Sequence, residues 1–510
     1  MIEFFSGFIN LFTFLIFIVI FFFSFVYPSN VYYSDNNILS IIFMFCTLAV
    51  WNILYWLIYK KIKLLNKKYE VIFLLIYFLI VSILQFTILK QLSVAPGWDF
   101  GMVFSNAKSF VYTGIREINV YPEYFQFFPN NIMLFVLEVI FIKIGSIFHI
   151  EAIYSAYVMN IIFIDIALLL LYLTIRKISN SKNAVFGSIL TLFFLPLFLY
   201  TPIIYSDTVT LFIPIGFVYL FNMKDDKKII SKRNIISFIL IGFLLFLGKE
   251  LKITSLIIFI ALVMSYFIIE FKLIKFVNIG ISMCVLIICE LLFKTVIVNN
   301  DKFQFQVNDY GSVPVTHWVM MGVEDIDVDN SGRNSYGGYN ENDYKLTESL
   351  KNGKDAIKFN LTETKNRISK MGIIGYPNYL LKKSVNTWTD GYYFSNIKLS
   401  LKPLHPNSYL YNFLLANDSS RDFIRSYVKG TQYALTIIII IGSILKLSKK
   451  SEIDYLRLSL IGLFIFFLLW ENRSRYIFNY IPIFILIIVD FYNNLKEKVD
   501  DKKCLKQKKR

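Results

Sequence analysis

The chain has 510 residues, 56% of them hydrophobic, with a mean hydropathy of +0.57 and a formal net charge of +16. Soluble domains are roughly 45–50% apolar and seldom carry uncharged runs of about 18 residues. Such runs recur here, which excludes an ordinary soluble fold. The charge does not read as a nucleic-acid footprint either, because the basic residues lie mostly in short loops between apolar runs, where they report orientation.

The first apolar run, Phe4–Tyr27, is too long for a signal-peptide core and lacks a basic flank, so a retained helix is expected. Ile38–Tyr59 and Val71–Leu89 follow. Lys60, Lys61, Lys63, Lys67 and Lys68 separate these two runs, whereas Pro28–Asn37 holds no Lys or Arg. The positive-inside rule puts the lysine loop in the cytoplasm and the loop after Leu89 outside. In that outer loop, Gln91 to Phe100, Pro96-Gly97 breaks the helix and one carboxylate, Asp99, follows between two aromatic rings. Taken alone it reads as a solvated turn residue. A lone acid at the mouth of a membrane helix is nevertheless costly unless solvated or partnered.

Asn130–Ile147 is apolar but short, and Glu138 and Lys143 interrupt it. Ile153–Ile175 then runs to Arg176, Lys177 and Lys182, a basic loop that belongs in the cytoplasm. A full crossing by Asn130–Ile147 would put that loop outside. The segment is therefore expected to lie at the outer interface or to re-enter. Beyond it the alternation is regular. Ala184–Tyr200 leads to an outer turn, Thr201–Asp207, and Thr208–Phe221 returns to Lys224, Lys227, Lys228, Lys232 and Arg233. Ile235–Leu247 leads out to Gly248-Lys249-Glu250-Leu251-Lys252, and Ile253–Phe271 returns to Lys272 and Lys275. Phe276–Val298 opens into a long polar outer segment, Asn299 to about Lys429. Tyr433–Leu445 returns to Lys446, Lys449 and Lys450, Leu458–Trp470 leads out to Glu471-Asn472-Arg473-Ser474-Arg475, and Tyr476–Asp490 returns to a basic tail, Lys496 to Arg510.

The expected fold is an all-α polytopic membrane protein with about twelve spans and both termini cytoplasmic. Three regions are expected: a transmembrane module, 1–298, carrying the catalytic outer loop 91–131 and the juxtamembrane helix 130–147; an extracytoplasmic region, 299–430; and C-terminal helices with the basic tail, 431–510. Cys46, Cys284, Cys289 and Cys504 have no metal spacing, and His149, His317 and His405 are far apart, so no metal site and no cofactor are expected, with a divalent metal left open. Asp325, Asp327 and Asp329 alternate as in a calcium loop but lack the glycine and glutamate of an EF-hand.

The polar exceptions gather on the outer face: Asp99, Asp207, Lys249, Glu250, Lys252, Glu471, Arg473 and Arg475. Each has a bland reading. Lys249 and Lys252 can snorkel to headgroups. Asp207, in Tyr205-Ser206-Asp207-Thr208, can cap a helix. Glu471, Arg473 and Arg475 can pair among themselves. Together they suit an anionic lipid headgroup and an acid/base reaction. In the polar segment, Trp318 and Trp388 suit either sugar stacking or an interfacial belt, and His317 is a candidate second base or a structural residue.

The order of five short stretches resembles a family: Gly97-Trp98-Asp99-Phe100, Tyr124-Phe125-Gln126-Phe127-Phe128-Pro129-Asn130-Asn131, Tyr205-Ser206-Asp207, Leu251-Lys252-Ile253-Thr254 and Glu471-Asn472-Arg473-Ser474-Arg475-Tyr476. These look like the lipid-linked-sugar glycosyltransferases of the GT-C superfamily, especially the bacterial family-39 type related to protein mannosyltransferases and the lipid A aminoarabinose transferase. The likeness covers roughly Val71–Phe271 and, by one motif, Trp470–Pro482. It implies a polyprenyl-phosphate sugar donor and an inverting transfer to a cell-envelope glycan, lipid or protein on the extracytoplasmic side of the cell membrane. It implies Asp99 as general base, Lys252 and Arg475 on the lipid phosphate, and Asp207 supporting a headgroup. Tyr124, Asn130, Lys249, Glu471, Arg473 and His317 complete the candidate substrate contacts. The chain departs from the family in its two spans before the first outer loop, in having Phe100 where some members have a second acid, and in lacking a cation before Pro129. A flippase or transporter of lipid-linked saccharides, favoured by the internal acids Asp165 and Glu290, is the alternative, as is a polysaccharide polymerase or ligase.

Overall fold

The computed structural model describes residues 2–508 except 30–35, 117–122, 225–230, 270–271, 273–274, 304, 306–311, 329–332, 351 and 447–453. Lys227, Lys228, Lys449, Lys450, Asp329 and Arg510, named above, lie outside the described residues. The fold is helical, with one two-stranded hairpin.

Three long helices open it: α1 (Ile2–Phe23), α2 (Asn37–Lys61) and α3 (Lys67–Leu92). Asn36 and Asn66 start the second and third by accepting the N–H groups of Leu39 and Tyr69. The loop after α3 leads into α4 (Trp98–Thr113), α5 (Tyr124–Phe127) and α6 (Ile132–Ile147), then α7 (Ala152–Ile178). Next come α8 (Ser181–Thr191), α9 (Pro196–Leu199), α10 (Ser206–Val209), α11 (Phe212–Met223), α12 (Lys232–Leu251), α13 (Ile257–Ile269) and α14 (Lys275–Phe293). The polar segment forms α15 (Val315–Met321), the hairpin β1 (Asp325–Val328) and β2 (Arg333–Tyr336), α16 (Glu341–Ser349), α17 (Gly353–Thr389), α18 (Ser395–Leu401) and α19 (Tyr409–Tyr411). The chain closes with α20 (Asp418–Lys446), α21 (Asp454–Leu469) and α22 (Ile481–Lys508).

Among the described residues ten helices are long and apolar enough to cross a membrane. Every predicted run is helical, but three fall short of that length. Ala184–Tyr200 splits into α8 and α9, with Pro196 opening the second piece, and α13 and α21 cover the runs Ile253–Phe271 and Leu458–Trp470.

Residues 129–147 are long and apolar enough to cross by length alone. Their contacts show where their two ends pack. α3 and α7 run antiparallel, since Glu70 at the start of α3 meets Arg176 at the end of α7, and Val94 beyond α3 receives the Tyr157 hydroxyl from the first turns of α7. Asn131, at the entrance to α6, bonds Tyr124, which bonds Asp99 just after α3. At the other end of α6, Gly145 sits against Ser155 of α7, so close that a Cβ there would lie 1.9 Å from its hydroxyl. Both ends of α6 thus make contacts at the end of the bundle that carries Asp99.

The polar segment does not stand apart from the helices. α17 kinks at Gly372, whose φ of +69° suits glycine alone, and its second half enters the bundle. There Trp388 packs edge-on against Phe17 of α1, 5.2 Å between centroids, and lies 6.4 Å from Phe484 of α22. Trp388 is buried core, so neither sugar stacking nor an interfacial belt describes it. The alternating acids from Asp325 belong to strand β1, where Asp325 faces Tyr336 and Asp327 faces Asn334 in the ladder. A period of two is what a strand imposes.

Candidate functional site

The loop after α3 is fixed by a partner far along the chain. Val94 bridges Pro403, Ala95 N–H donates to the Lys402 carbonyl, and Leu404 N–H donates to that of Ser93. This strap brings α18 over the start of α4. Gly97 caps α4, Trp98 takes a φ of +52°, and Asp99 falls in the first turn, where free N–H groups favour a carboxylate. Asp99 is half-buried. Its carboxylate accepts the Tyr124 hydroxyl at 2.9 Å, and Asn131 donates to Tyr124 at 2.6 Å. The aromatic-Pro stretch therefore positions Asp99. Its working amide is Asn131, while Asn130 is exposed.

Three other elements meet at Tyr205. The turn before it, Thr201–Ile204, is held by Asn160 of α7, whose amide donates to the carbonyls of Tyr200, Thr201 and Ile203. Tyr205 is 5% exposed, and its phenol oxygen receives the Phe100 N–H and the Lys398 amine, the latter at 2.6 Å. Arg475 lies over its ring at 4.9 Å. Two residues on, Asp207 is fully buried and ion-paired to both Lys252 and Arg475, the Arg475 pair at 2.6 Å. It does not cap its helix: residue 205 is the N-cap, and Thr208 supplies the hydroxyl that meets the Tyr205 N–H. Lys252 and Arg475 keep 10% and 16% of their side chains exposed, so each can also face a ligand. Tyr476 lies between them, 4.7 Å from each cation.

The segment 471–475 is held from below by the polar region. Asn472 donates to the Lys383 carbonyl and accepts from Thr387, and its N–H donates to the Gly337 carbonyl. Gly337 has a φ of +70°, and a Cβ there would lie 2.7 Å from the Gly322 carbonyl. Lys383 closes the array by donating to the carbonyls of Gly322, Leu468 and Trp470. Asp390 accepts Ser474 and the N–H groups of Tyr392 and Phe394, and so ties α17 to the same segment. Tyr393 and Phe394 have φ values of +50° and +66°, and Arg473 lies over Phe394 at 5.1 Å. Among the described residues four non-glycine residues have positive φ, and three of them, Trp98, Tyr393 and Phe394, flank this cluster. Strain of this kind persists only where surrounding contacts over-determine it, and it concentrates at working sites. Glu471 is buried beside Arg473 and Arg475, and burial holds its carboxyl above the usual range against their pull.

Two candidates fall elsewhere. Lys249 turns away to Glu290, with Glu250 at 3.9 Å. His317 is buried against Thr347, 2.8 Å away, and burial draws its imidazole down to about 4, which suits a structural ring rather than a base. The internal acids are paired locally. Asp165 accepts from Gln85 between α7 and α3, and Glu290 is taken by Lys249 and Lys294. Sequence reasoning missed Lys398, Trp98, Tyr205 and Asn131 as participants. Trp98, Tyr205 and Asn131 lie inside the stretches that carried the resemblance, which was the signal for them, and Lys398 lies in none.

Comparison with known proteins gives a family and no relative of assigned role. No curated protein and no solved structure matches. A family model described as a conserved hypothetical integral membrane protein matches residues 1–494, and the chain belongs to that family.

Proposed function

We propose that the protein is a membrane glycosyltransferase of GT-C type, which transfers a sugar from a polyprenyl-phosphate donor to a cell-envelope acceptor. The observation that supports this reading most is the gathering, around Tyr205 and Asp207 and beside one half-buried acid, Asp99, of basic side chains from three distant parts of the chain, Lys252, Lys398 and Arg475. The acceptor hydroxyl attacks the anomeric carbon and passes its proton to the Asp99 carboxylate. The bond from that carbon to the phosphate oxygen breaks, and the electron pair leaves with the phosphate. Lys252 and Arg475 receive the departing charge through charge-assisted hydrogen bonds. One displacement inverts the anomeric centre. Both cations already share Asp207, which fixes their spacing before the donor arrives.

Transport is the second reading, and the local pairing of Asp165 and Glu290 gives it no continuous polar route. Purified protein in liposomes, supplied with a radiolabelled polyprenyl-phosphate hexose and envelope material, is expected to move label into the envelope fraction and release polyprenyl phosphate. Label that crosses the bilayer with its phosphodiester intact would instead establish transport.

The orientation is part of the same reading, with the Asp99 end of the bundle outside. In protein stripped of its native cysteines, Thr113→Cys is expected to react with a membrane-impermeant maleimide in whole cells. Ser179→Cys is expected to react only after permeabilisation. Labelling of Ser179→Cys in intact cells would reverse the orientation.

A further inference from the structure

Lys398 differs from the other cations of the cluster in its partners. Lys252 and Arg475 are bonded to Asp207, and Arg473 stands beside Glu471 and over Phe394. Lys398 is only 8% exposed, yet its described partners are all neutral: the Tyr205 hydroxyl at 2.6 Å, the Trp98 ring at 3.8 Å and the Tyr205 ring at 4.1 Å. Among the described residues no carboxylate stands in ion-pair range of it. An ammonium held there without a bonded counter-charge would be costly, so burial weakens the amine's hold on its proton. The fold nevertheless fixes it there twice over, through the strap at Val94–Pro403 and through the left-handed pair Tyr393-Phe394 that opens α18. The ring covering it, Trp98, is 53% exposed, so the amine lies one side chain from the outside.

We infer that Lys398 is a binding residue for the phosphodiester anion of the donor, exchanging its contact with the Tyr205 hydroxyl for a phosphoryl oxygen. This inference takes its ligand from the transferase reading. The groups that face Lys398 are Trp98 and Asp99 on α4, Tyr205 and Asp207 on the outer turn, and Arg473 and Arg475 on the segment before α22. Burial, helped by Arg475, draws the amine down to about 6, with Asp99 and Asp207 pulling the other way. At pH 7.5 the unliganded amine is therefore mostly neutral. The incoming anion supplies the missing counter-charge, and one proton from solvent completes the ammonium. The bound state has the raised pKa, so binding is strongest at low pH. Affinity falls by about tenfold per pH unit above pH 6 until the bound-state pKa is passed. A phosphodiester does not titrate in this range, so the proton belongs to the protein.

The test is calorimetry on the full-length protein in nanodiscs, with farnesyl-phosphoryl-glucose as probe, in two buffers of different ionisation enthalpy at pH 7.5. Wild-type protein is expected to take up close to one proton per bound diester and to bind about tenfold more weakly at pH 8 than at pH 7. Lys398→Arg is expected to bind without proton uptake. Lys398→Met is expected to bind roughly tenfold to a hundredfold more weakly. Methyl-phosphoryl-glucose, run in parallel, separates the sources: equal affinity assigns the site to a soluble sugar phosphate, and a preference for the farnesyl chain assigns it to a lipid. Binding without proton uptake, and unchanged in Lys398→Met, would overturn the inference while leaving the transferase reading in place. Proton-coupled binding by a protein that transfers no sugar would do the reverse. Failure of the wild-type protein to bind either diester would overturn both.

Discussion

Asp99→Asn is expected to lower sugar transfer by between about 10²- and 10⁴-fold, the range that a positioned general base contributes. The substitution keeps the shape of the side chain and its place in the first turn of α4. The amide oxygen can still accept the Tyr124 hydroxyl, so the contact through Tyr124 to Asn131 survives. What is lost is the basic oxygen that takes the acceptor proton. Donor binding should change less than transfer, because the groups proposed to take the phosphate, Lys252, Arg475 and Lys398, are bonded to Asp207 and Tyr205 and not to Asp99. The measurement is initial transfer rate in the liposome assay beside donor affinity by calorimetry, with a thermal melt to confirm folding. Transfer within a factor of about three of wild type, in protein that melts normally, would remove Asp99 from the chemistry.

Much of this arrangement was legible in the sequence, for identifiable physical reasons. A bilayer imposes long uncharged runs, so the helices follow from composition and charge. The Asp207–Lys252–Arg475 trio was also within reach, because a charge next to an apolar run is conspicuous. Lys398 was not. It lies in a polar stretch with many other lysines, and it joins the site through the left-handed pair Tyr393-Phe394 and the pairing of Val94 with Pro403, a contact across some three hundred residues that no local pattern encodes. The exchange of Asn130 for Asn131 is of another kind. Adjacent residues on a turn point in different directions, and only the backbone path decides which one meets Tyr124. Lys249 and Lys252 illustrate the same limit. They stand three apart at the end of α12, where the helix gives way to an extended residue at 252, and so one turns to Glu290 and the other to Asp207. His317 and Trp388 were credited by residue type. Packing claimed both, since a large ring at the base of a polar segment is worth more buried than exposed.

Asp207→Asn is expected to destabilise the protein more than any substitution at Asp99, by about 3–5 kcal/mol, the usual cost of removing one partner of a buried ion pair. The reason is the asymmetry of the trio. Asp207 is fully buried and carries the only full negative charge in contact with Lys252 and Arg475 among the described residues. With the carboxylate neutralised, the two cations beside Tyr476 lose the one group that pairs them, and their small residual exposure and the nearby Glu471 compensate only in part. The aromatic faces of Tyr205 and Tyr476 offset part of this, because each presents a negative quadrupole to a cation, but such contacts supply about 0.5–2 kcal/mol against the larger loss. Asp207→Asn should therefore melt earlier in detergent than wild type, and added phosphodiester should recover part of the loss, because the anion takes the place of the missing charge. Asp99→Asn should gain no such extra stabilisation from the ligand. A normal melting temperature for Asp207→Asn would mean that the two cations are not held by this carboxylate, and the pre-set spacing on which the leaving-group argument rests would go with it.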